Sequence, residues 1–270
     1  MNTKINKFGL SRTIPLAIKR QIRQQCNFGC VVCGNAIIEY EHVEPEYHES
    51  EEHNPKKMTL LCPQCHAKVT RGLLSKETIK KAMQSPKCCE TGYSREILDI
   101  STEYPKILYG KNGMYATNCS IPIQINNTPL IKIEKPDSFG EPYKLSCLFY
   151  DSSNRKSLEI IDNEFYIFNS NWDVTVEGKS IVIREGLRKI HLKLTFSSPE
   201  IVYIEKLNMN YFGHFFEVDD SGFKMDGNQL NISIDGCNIG IQLNLKLKHT
   251  ELSKVCAYWL DINRKDNKTS

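Results

Sequence analysis

The sequence predicts an α+β protein, with helices gathered in the first third of the chain and short strands after it. Two observations predict this. Helix-start signals and helical spacing of apolar residues are confined to roughly residues 11–85. From Gly92 onward apolar and polar residues alternate with a period of two, and Gly-containing turn signals recur. The change of character falls at Ser85-Pro86, which predicts an N-terminal domain over 1–86 and an all-β domain over 92–262. With 270 residues, each domain can bury a core of its own. Apolar residues make up 40% and charged residues 25%, close to globular averages, which excludes a disordered chain or a coiled coil. No apolar run approaches the roughly 20 residues that span a bilayer. Lys19 and Arg20 interrupt the N-terminal apolar stretch before a signal-peptide core forms, so the expectation is a cytoplasmic protein with no membrane partner.

Ser11 and Thr13 offer caps, Pro15 suits a first helical turn, and Ile18 and Ile22 continue a helical period to about Gln25. Cys30-Val-Val-Cys33-Gly34 follows, and Ala36-Ile37-Ile38 runs as a strand into Tyr40-Glu41-His42-Val43. A polar, Glu-rich loop covers 44–57. Met58-Thr59-Leu60-Leu61 leads into Cys62-Pro63-Gln64-Cys65-His66, which opens a helix to about Thr70. Ser75 with Thr78 starts another helix through Ile79-Lys-Lys-Ala-Met83. In the later region Ile190, Leu192, Leu194 and Phe196 share one face, and His191, Lys193 and Thr195 the other. The alternation recurs over 230–234 and 239–245, with turns at Glu177-Gly178, Ser221-Gly222, Asp226-Gly227 and Asp235-Gly236. Short strands at this spacing predict a β-sandwich or a short, irregular β-solenoid, and the lack of a clean repeat weighs against the solenoid.

The net charge of +3 says little, but its distribution is uneven. Lys4, Lys7, Arg12, Lys19, Arg20 and Arg23 all precede Glu39, the first acidic residue, and acidic residues then crowd the stretch to Glu52. A basic segment beside an acidic one suits a phosphate-binding surface around a metal pocket, and ordinary solvated charge is the bland alternative. Five of the eleven cysteines fall between Cys26 and Cys65. In a chain read as cytoplasmic, disulfides are disfavoured and metal binding is the leading explanation. Cys30/Cys33 and Cys62/Cys65 form two Cys-x-x-Cys knuckles, each tight enough to bring both thiolates to one tetrahedral Zn²⁺, with Gly34 easing the first turn. Four sulfur ligands leave no open position, so this zinc is expected to be structural, folding a segment too small for its own core. Cys26 is expected to pack, and Cys88, Cys89, Cys119, Cys147, Cys237 and Cys256 to lie in the core.

Glu41-His42 lies between the knuckles and His66 directly follows the second, so the stapled strand and helix would bring one carboxylate and two imidazoles together. Cys30-x-x-Cys33, Glu41-His42-Val43 and Leu60-Leu61-Cys62-Pro63-Gln64-Cys65-His66 resemble the HNH endonuclease family, whose fold is a ββα-metal finger. Ser11-Arg-Thr-Ile-Pro15, the run Cys26 to Gly34, Tyr40-Glu41-His42 and Thr59-Leu-Leu-Cys62 are similar to a bacterial group of that family with a β-rich C-terminal region. Asn171-Trp172-Asp173-Val174 through Ser180-Ile-Val-Ile-Arg184 extends the likeness into that region. The resemblance implies a metal-dependent enzyme hydrolysing DNA phosphodiester bonds, as in restriction or phage defence, with the β domain choosing the substrate or forming homo-oligomers. It implies His42 as general base, and Glu41 and His66 as ligands of a catalytic Mg²⁺, Mn²⁺ or Ni²⁺. Lys68 and Arg71, with Arg20 and Arg23 from the basic segment, would hold DNA phosphates.

Two positions depart from the family pattern. Glu41 stands where the family usually has Asp. The central Asn, expected five residues before Cys62, is Lys57, which can neither accept a hydrogen bond nor bind a cation. Asn54 is the nearest candidate for that role, with Glu51, Glu52 and His53 as the loop's alternatives. The Lys57 departure favours a competing reading, a catalytically inactive, zinc-stabilised nucleic-acid-binding module. A nicking or RNA-directed activity would use the same site.

Overall fold

A computed structural model of the chain describes residues 5–110, 114–116, 123–125, 128–226, 228–229 and 259–260. The alternating segments at 230–234 and 239–245, the Asp235-Gly236 turn, Gly227 and the cysteines Cys119, Cys237 and Cys256 lie outside the described residues. The fold is mixed, with a few short helices and many mainly antiparallel strands. Its two compact units are interleaved in sequence. The first comprises the chain to Ile97 together with Phe165–Ile190; the second comprises Leu98–Glu164 and the described residues from His191 onward. The composition change at 86–92 predicts a single break instead. Strand periodicity reports which residues share a face but not which strand lies alongside, so the return of 165–190 to the first unit leaves no local mark.

In the first unit, helix α1 (Leu16–Gln25) begins after Pro15, the N-cap, and buries Ile22. Neither Ser11 nor Thr13 caps it; Ser11 Oγ accepts from the Thr13 N–H at 3.1 Å instead. Strand β1 (Glu39–His42) pairs antiparallel with β2 (Met58–Leu61), in the register Glu39↔Leu61, Tyr40↔Leu60, Glu41↔Thr59, His42↔Met58. All four residues of β2 are buried, so β2 is packed on both faces. Helix α2 (Pro63–Thr70) starts directly from β2, with Cys62 as N-cap, its Sγ 3.4 Å from the Cys65 N–H, and proline in the first turn. Helix α3 (Lys76–Gln84) is capped as its sequence predicts, Ser75 Oγ accepting from the Thr78 N–H at 3.2 Å. A further helix, α4 (Lys87–Thr91), ends at Gly92, whose φ of 85° is the left-handed conformation that favours glycine. Strand β3 (Tyr93–Ile97) follows. Ile22, Cys26, Val31, Met58, Leu60, Leu61 and Ile79 form the centre of this unit's core.

The second unit opens with β4 (Lys106–Tyr109), β5 (Met114–Ala116), β6 (Ile123–Ile125), β7 (Thr128–Glu134), β8 (Lys144–Tyr150) and β9 (Lys156–Ile161). The chain then re-enters the first unit. Strand β10 (Glu164–Phe168) lies beside β3, and β11 (Asp173–Glu177) and β12 (Ser180–Gly186) form a hairpin through Gly178, with φ 58°. Strands β13 (Lys189–Ser197), β14 (Ile201–Tyr211), β15 (His214–Asp219), β16 (Gly222–Met225), β17 (Asn228–Gln229) and β18 (Trp259–Leu260) complete the described elements. In the second unit β6 to β9 pair antiparallel in order, with β18 parallel to β6. Strands β13 to β17 form another antiparallel series, with β4 parallel to β14 and β5 antiparallel to β4. Leu130 and Phe149 from one series and Leu207, Phe216 and Phe223 from the other line an apolar void of about 10 Å³, too small for a ligand.

Two expectations about single residues change. His191, expected on the polar face of its strand, is fully buried, with Nε2 2.7 Å from Ser157 Oγ and Nδ1 2.7 Å from Asn208 O. Cys88 and Cys147 are buried as expected, but Cys89 is exposed. Among the described residues no helix is long and apolar enough to cross a membrane.

Candidate metal centre and adjoining polar site

The junction of β1, β2 and α2 gathers the four predicted thiols. Sγ atoms of Cys30, Cys33, Cys62 and Cys65 all lie within 4.8 Å of one another. Cys33 Sγ is 3.6 Å from Cys62 Sγ and 3.8 Å from Cys65 Sγ. Four sulfurs about 2.3 Å from one tetrahedral ion stand about 3.8 Å apart, so the cluster could bind a metal such as zinc. Local backbone builds each knuckle. Gly34, at φ 80°, turns so that its N–H donates to Cys30 O at 2.8 Å, and the Cys30 N–H donates to Asn35 O at 2.8 Å. The thiols cannot all ionise unaided. A hydrogen bond from Cys33, helped by backbone N–H groups, lowers Cys30 to about 5, whereas the same bond raises Cys33 and burial pushes Cys65 up to about 12. A dication bonded to all four sulfurs relieves that conflict, because each thiolate then faces a positive charge it shares with the others. Cys26 stands apart as a packing residue, 2% exposed and 3.6 Å from Thr59 Oγ1, with burial raising its thiol to about 11.

Strand β1 divides the remaining candidates between its two faces. Glu39 and Glu41 face α2. His66 Nδ1 lies 2.5 Å from Glu39 Oε2 and His66 Nε2 lies 3.1 Å from Glu41 Oε2. Burial raises the Glu41 carboxyl above its ordinary range, with His66 opposing. The structure thus brings Glu41 and His66 together and adds Glu39, which the sequence reading does not name as a site residue. Its position two residues before Glu41 on a strand was the available signal. The acidic loop contributes less than its composition suggests, because Glu44 pairs with Lys80 and Glu46 with Lys76, both from α3.

Tyr40 and His42 face the other way. His42 is 8% exposed, and its Nε2 lies 3.1 Å from His53 Nδ1; Tyr47 lies against the ring at 5.5 Å between centroids. Burial first, and then His53, lower the His42 pKa to about 4. Asn54 does not reach this group. Its Oδ1 caps the turn Pro55–Lys57 by accepting from the Lys56 N–H at 3.0 Å, and its Nδ2 donates to Glu52 Oε1 at 3.1 Å. Of the loop residues weighed for the role, His53 is the one that contacts His42.

The basic residues separate as well. Lys68 and Arg71, on α2 and at its end, are exposed. Arg23 is not available to phosphate. It is 6% exposed, donates from Nε and Nη2 to Asp173 Oδ1 and Oδ2 at 2.8 and 2.9 Å, and donates from Nη1 to Tyr40 Oη at 2.7 Å. Arg20 stacks over Trp172 at 4.9 Å and lies 3.5 Å from Asp173 Oδ2, so its charge is partly used. Arg184 reaches the same carboxylate at 3.6 Å, and Asp173 is 1% exposed. Asp173 therefore ties the β11–β12 hairpin to α1, a role without a local sequence signal.

Comparison with known proteins returns no match: no family model, no curated protein and no solved structure matches this chain.

Proposed function

We propose that this chain is a metal-dependent endonuclease of the HNH type that hydrolyses DNA phosphodiester bonds, with a ββα-metal finger folded around a structural zinc at Cys30, Cys33, Cys62 and Cys65. The observation that carries this reading is the 3.1 Å separation of Glu41 Oε2 and His66 Nε2, on a strand and a helix joined at the thiol cluster. Adjacent ligands about 2.1 Å from an octahedral ion stand about 3.0 Å apart. The carboxylate and imidazole therefore suit one Mg²⁺, Mn²⁺ or Ni²⁺. Such an ion supplies charge stabilisation at the scissile phosphate and the leaving oxygen. Glu39, on His66 Nδ1, orients the ring so that Nε2 faces Glu41. His42 takes the proton of the attacking water, and Lys68, Arg71 and Arg20 contact flanking phosphates. By analogy with domains added to other nucleases, the second unit, a β-sandwich, selects the DNA or joins two copies of the chain.

The burial of His42 favours a second reading, an inactive zinc-stabilised nucleic-acid-binding module. Plasmid cleavage with Mg²⁺, Mn²⁺ and Ni²⁺ in turn, beside His42→Ala and an EDTA control, separates the two. The nuclease reading expects cutting that needs added metal and His42, with His42→Ala retaining its zinc and fold. A folded, zinc-loaded protein that binds DNA and cuts with none of the three metals would establish the binding module.

A further inference from the structure

The loop that lacks an asparagine at the expected place holds His42 in another way. The Tyr47 hydroxyl donates to Leu10 O at 2.7 Å, and Asn6 Nδ2 donates to Tyr47 O and Ser50 O, both at 2.6 Å. These bonds fasten the N-terminal arm to the loop. His53 is 7% exposed and lies between the arm and β1. Its Nε2 is 2.9 Å from Ser11 O and its Nδ1 is 3.1 Å from His42 Nε2.

A carbonyl oxygen can only accept, so the hydrogen of a neutral His53 sits on Nε2. Its Nδ1 is then an acceptor, and the hydrogen it accepts must come from His42 Nε2. The order is Ser11 O, His53, His42, with each imidazole donating through Nε2. The lone pair of His42 is thereby placed on Nδ1.

We propose that His53 is the positioning residue for His42, fixing the ring and its Nε2–H tautomer so that Nδ1 is the basic nitrogen. The proposal rests on the reading of His42 as general base. In the step it serves, the attacking water gives a proton to His42 Nδ1 as its oxygen bonds to phosphorus, while the bond from phosphorus to the 3′ oxygen breaks and that oxygen leaves with the bonding pair, taking a proton from solvent. His42 then carries hydrogen on both nitrogens, and the new charge is met by the His53 lone pair, itself polarised by Ser11 O. Lys57 cannot supply that acceptor and Asn54 is engaged in its turn, which leaves the task to His53.

Long-range ¹H–¹⁵N correlation on the ¹⁵N-histidine-labelled, zinc-loaded full chain at neutral pH reads the tautomers without reference to activity. The expected result is Nε2–H for both His42 and His53. His42 protonated on Nδ1, or His53 carrying two N–H groups, overturns the proposal. In parallel, His53→Ala should lower kcat for plasmid cleavage on the order of 10²-fold, with KM and zinc content little changed. His53→Asn should recover most of that loss, because its Oδ1 falls near the position of the imidazole Nδ1 and accepts from His42. Cleavage by His53→Ala at the parental rate, with the variant folded, also overturns the proposal. A protein with both tautomers as expected that cuts with none of the three metals retires the nuclease reading instead, and with it the base that His53 would position.

Discussion

The two faces of strand β1 carry polar side chains in equal number and treat them oppositely. Glu39 and Glu41 meet His66 at a face that water reaches, where a cation can enter and a lost contact is replaced by solvent. Tyr40 and His42 are turned toward Arg23, Asp173 and His53, all of which are buried. There every polar atom needs a protein partner, because a stranded one costs its full desolvation. The exposed face can therefore exchange partners at little cost in stability, whereas the buried face holds each polar group, His42 among them, in one arrangement.

The strongest test removes what both faces share. Chelation of the proposed zinc, or Cys62→Ala, should abolish the folded state of the first unit, since structural zinc sites supply about 10 kcal/mol or more of folding free energy. Metal analysis should find one zinc per chain, and far-UV circular dichroism should fall as that metal leaves. Retention of the spectrum in a metal-free protein would mean that the core around Ile22, Met58 and Leu61 suffices alone.

Asp173→Ala comes next. It leaves Arg23 buried without its carboxylate, and breaking such a pair costs about 3–5 kcal/mol. Urea unfolding measures it. Arg20→Ala should cost no more than about 1 kcal/mol, because its contact with Asp173 is long and its side chain reaches solvent. Equal losses for the two variants would contradict the burial difference on which the comparison depends.

Acid probes His42. Its pKa falls from an ordinary 6.5 to about 4 in the folded protein, through burial and then His53. The unfolded chain takes up the proton first as pH drops, so this contribution is complete above about pH 6.5 and is lost on going down to about pH 4. The difference sets a ceiling of about 3 kcal/mol on the loss. Urea midpoints over this range, parent against His42→Gln, should converge as the pH is lowered. Parallel curves would mean that His42 is solvated.

The smallest effect on stability belongs to the exposed face. Glu39→Gln should change it by less than about 0.5 kcal/mol while weakening Mn²⁺ binding about tenfold in calorimetry, the signature of a group that orients a ligand. Unchanged Mn²⁺ affinity would reduce Glu39 to a surface charge.

Much of this region is legible in the sequence. The cysteine spacing announced the thiol cluster, because a two-residue gap already limits where two sulfurs can point. Proline after Cys62 and Ser75 before Thr78 marked the starts of α2 and α3 through bonds that span only three residues. Of the carboxylate and two imidazoles expected beside the knuckles, Glu41 and His66 lie together and His42 turns to the other face of β1. The errors share one cause. Arg23 read as a free surface charge, Asn54 as a reaching side chain, and 165–190 as part of the later domain, and each depends on a partner that periodicity does not name.

By itself the sequence determined the thiol knuckles, the helix starts and the alternation of the strands, all of which follow from short-range geometry. Tertiary structure alone decided that Asp173 neutralises Arg23 across 150 residues and that His53 lies on His42. Burial is the physical reason. A polar group removed from water must find whichever partner the fold delivers, and that choice is made only when distant segments meet.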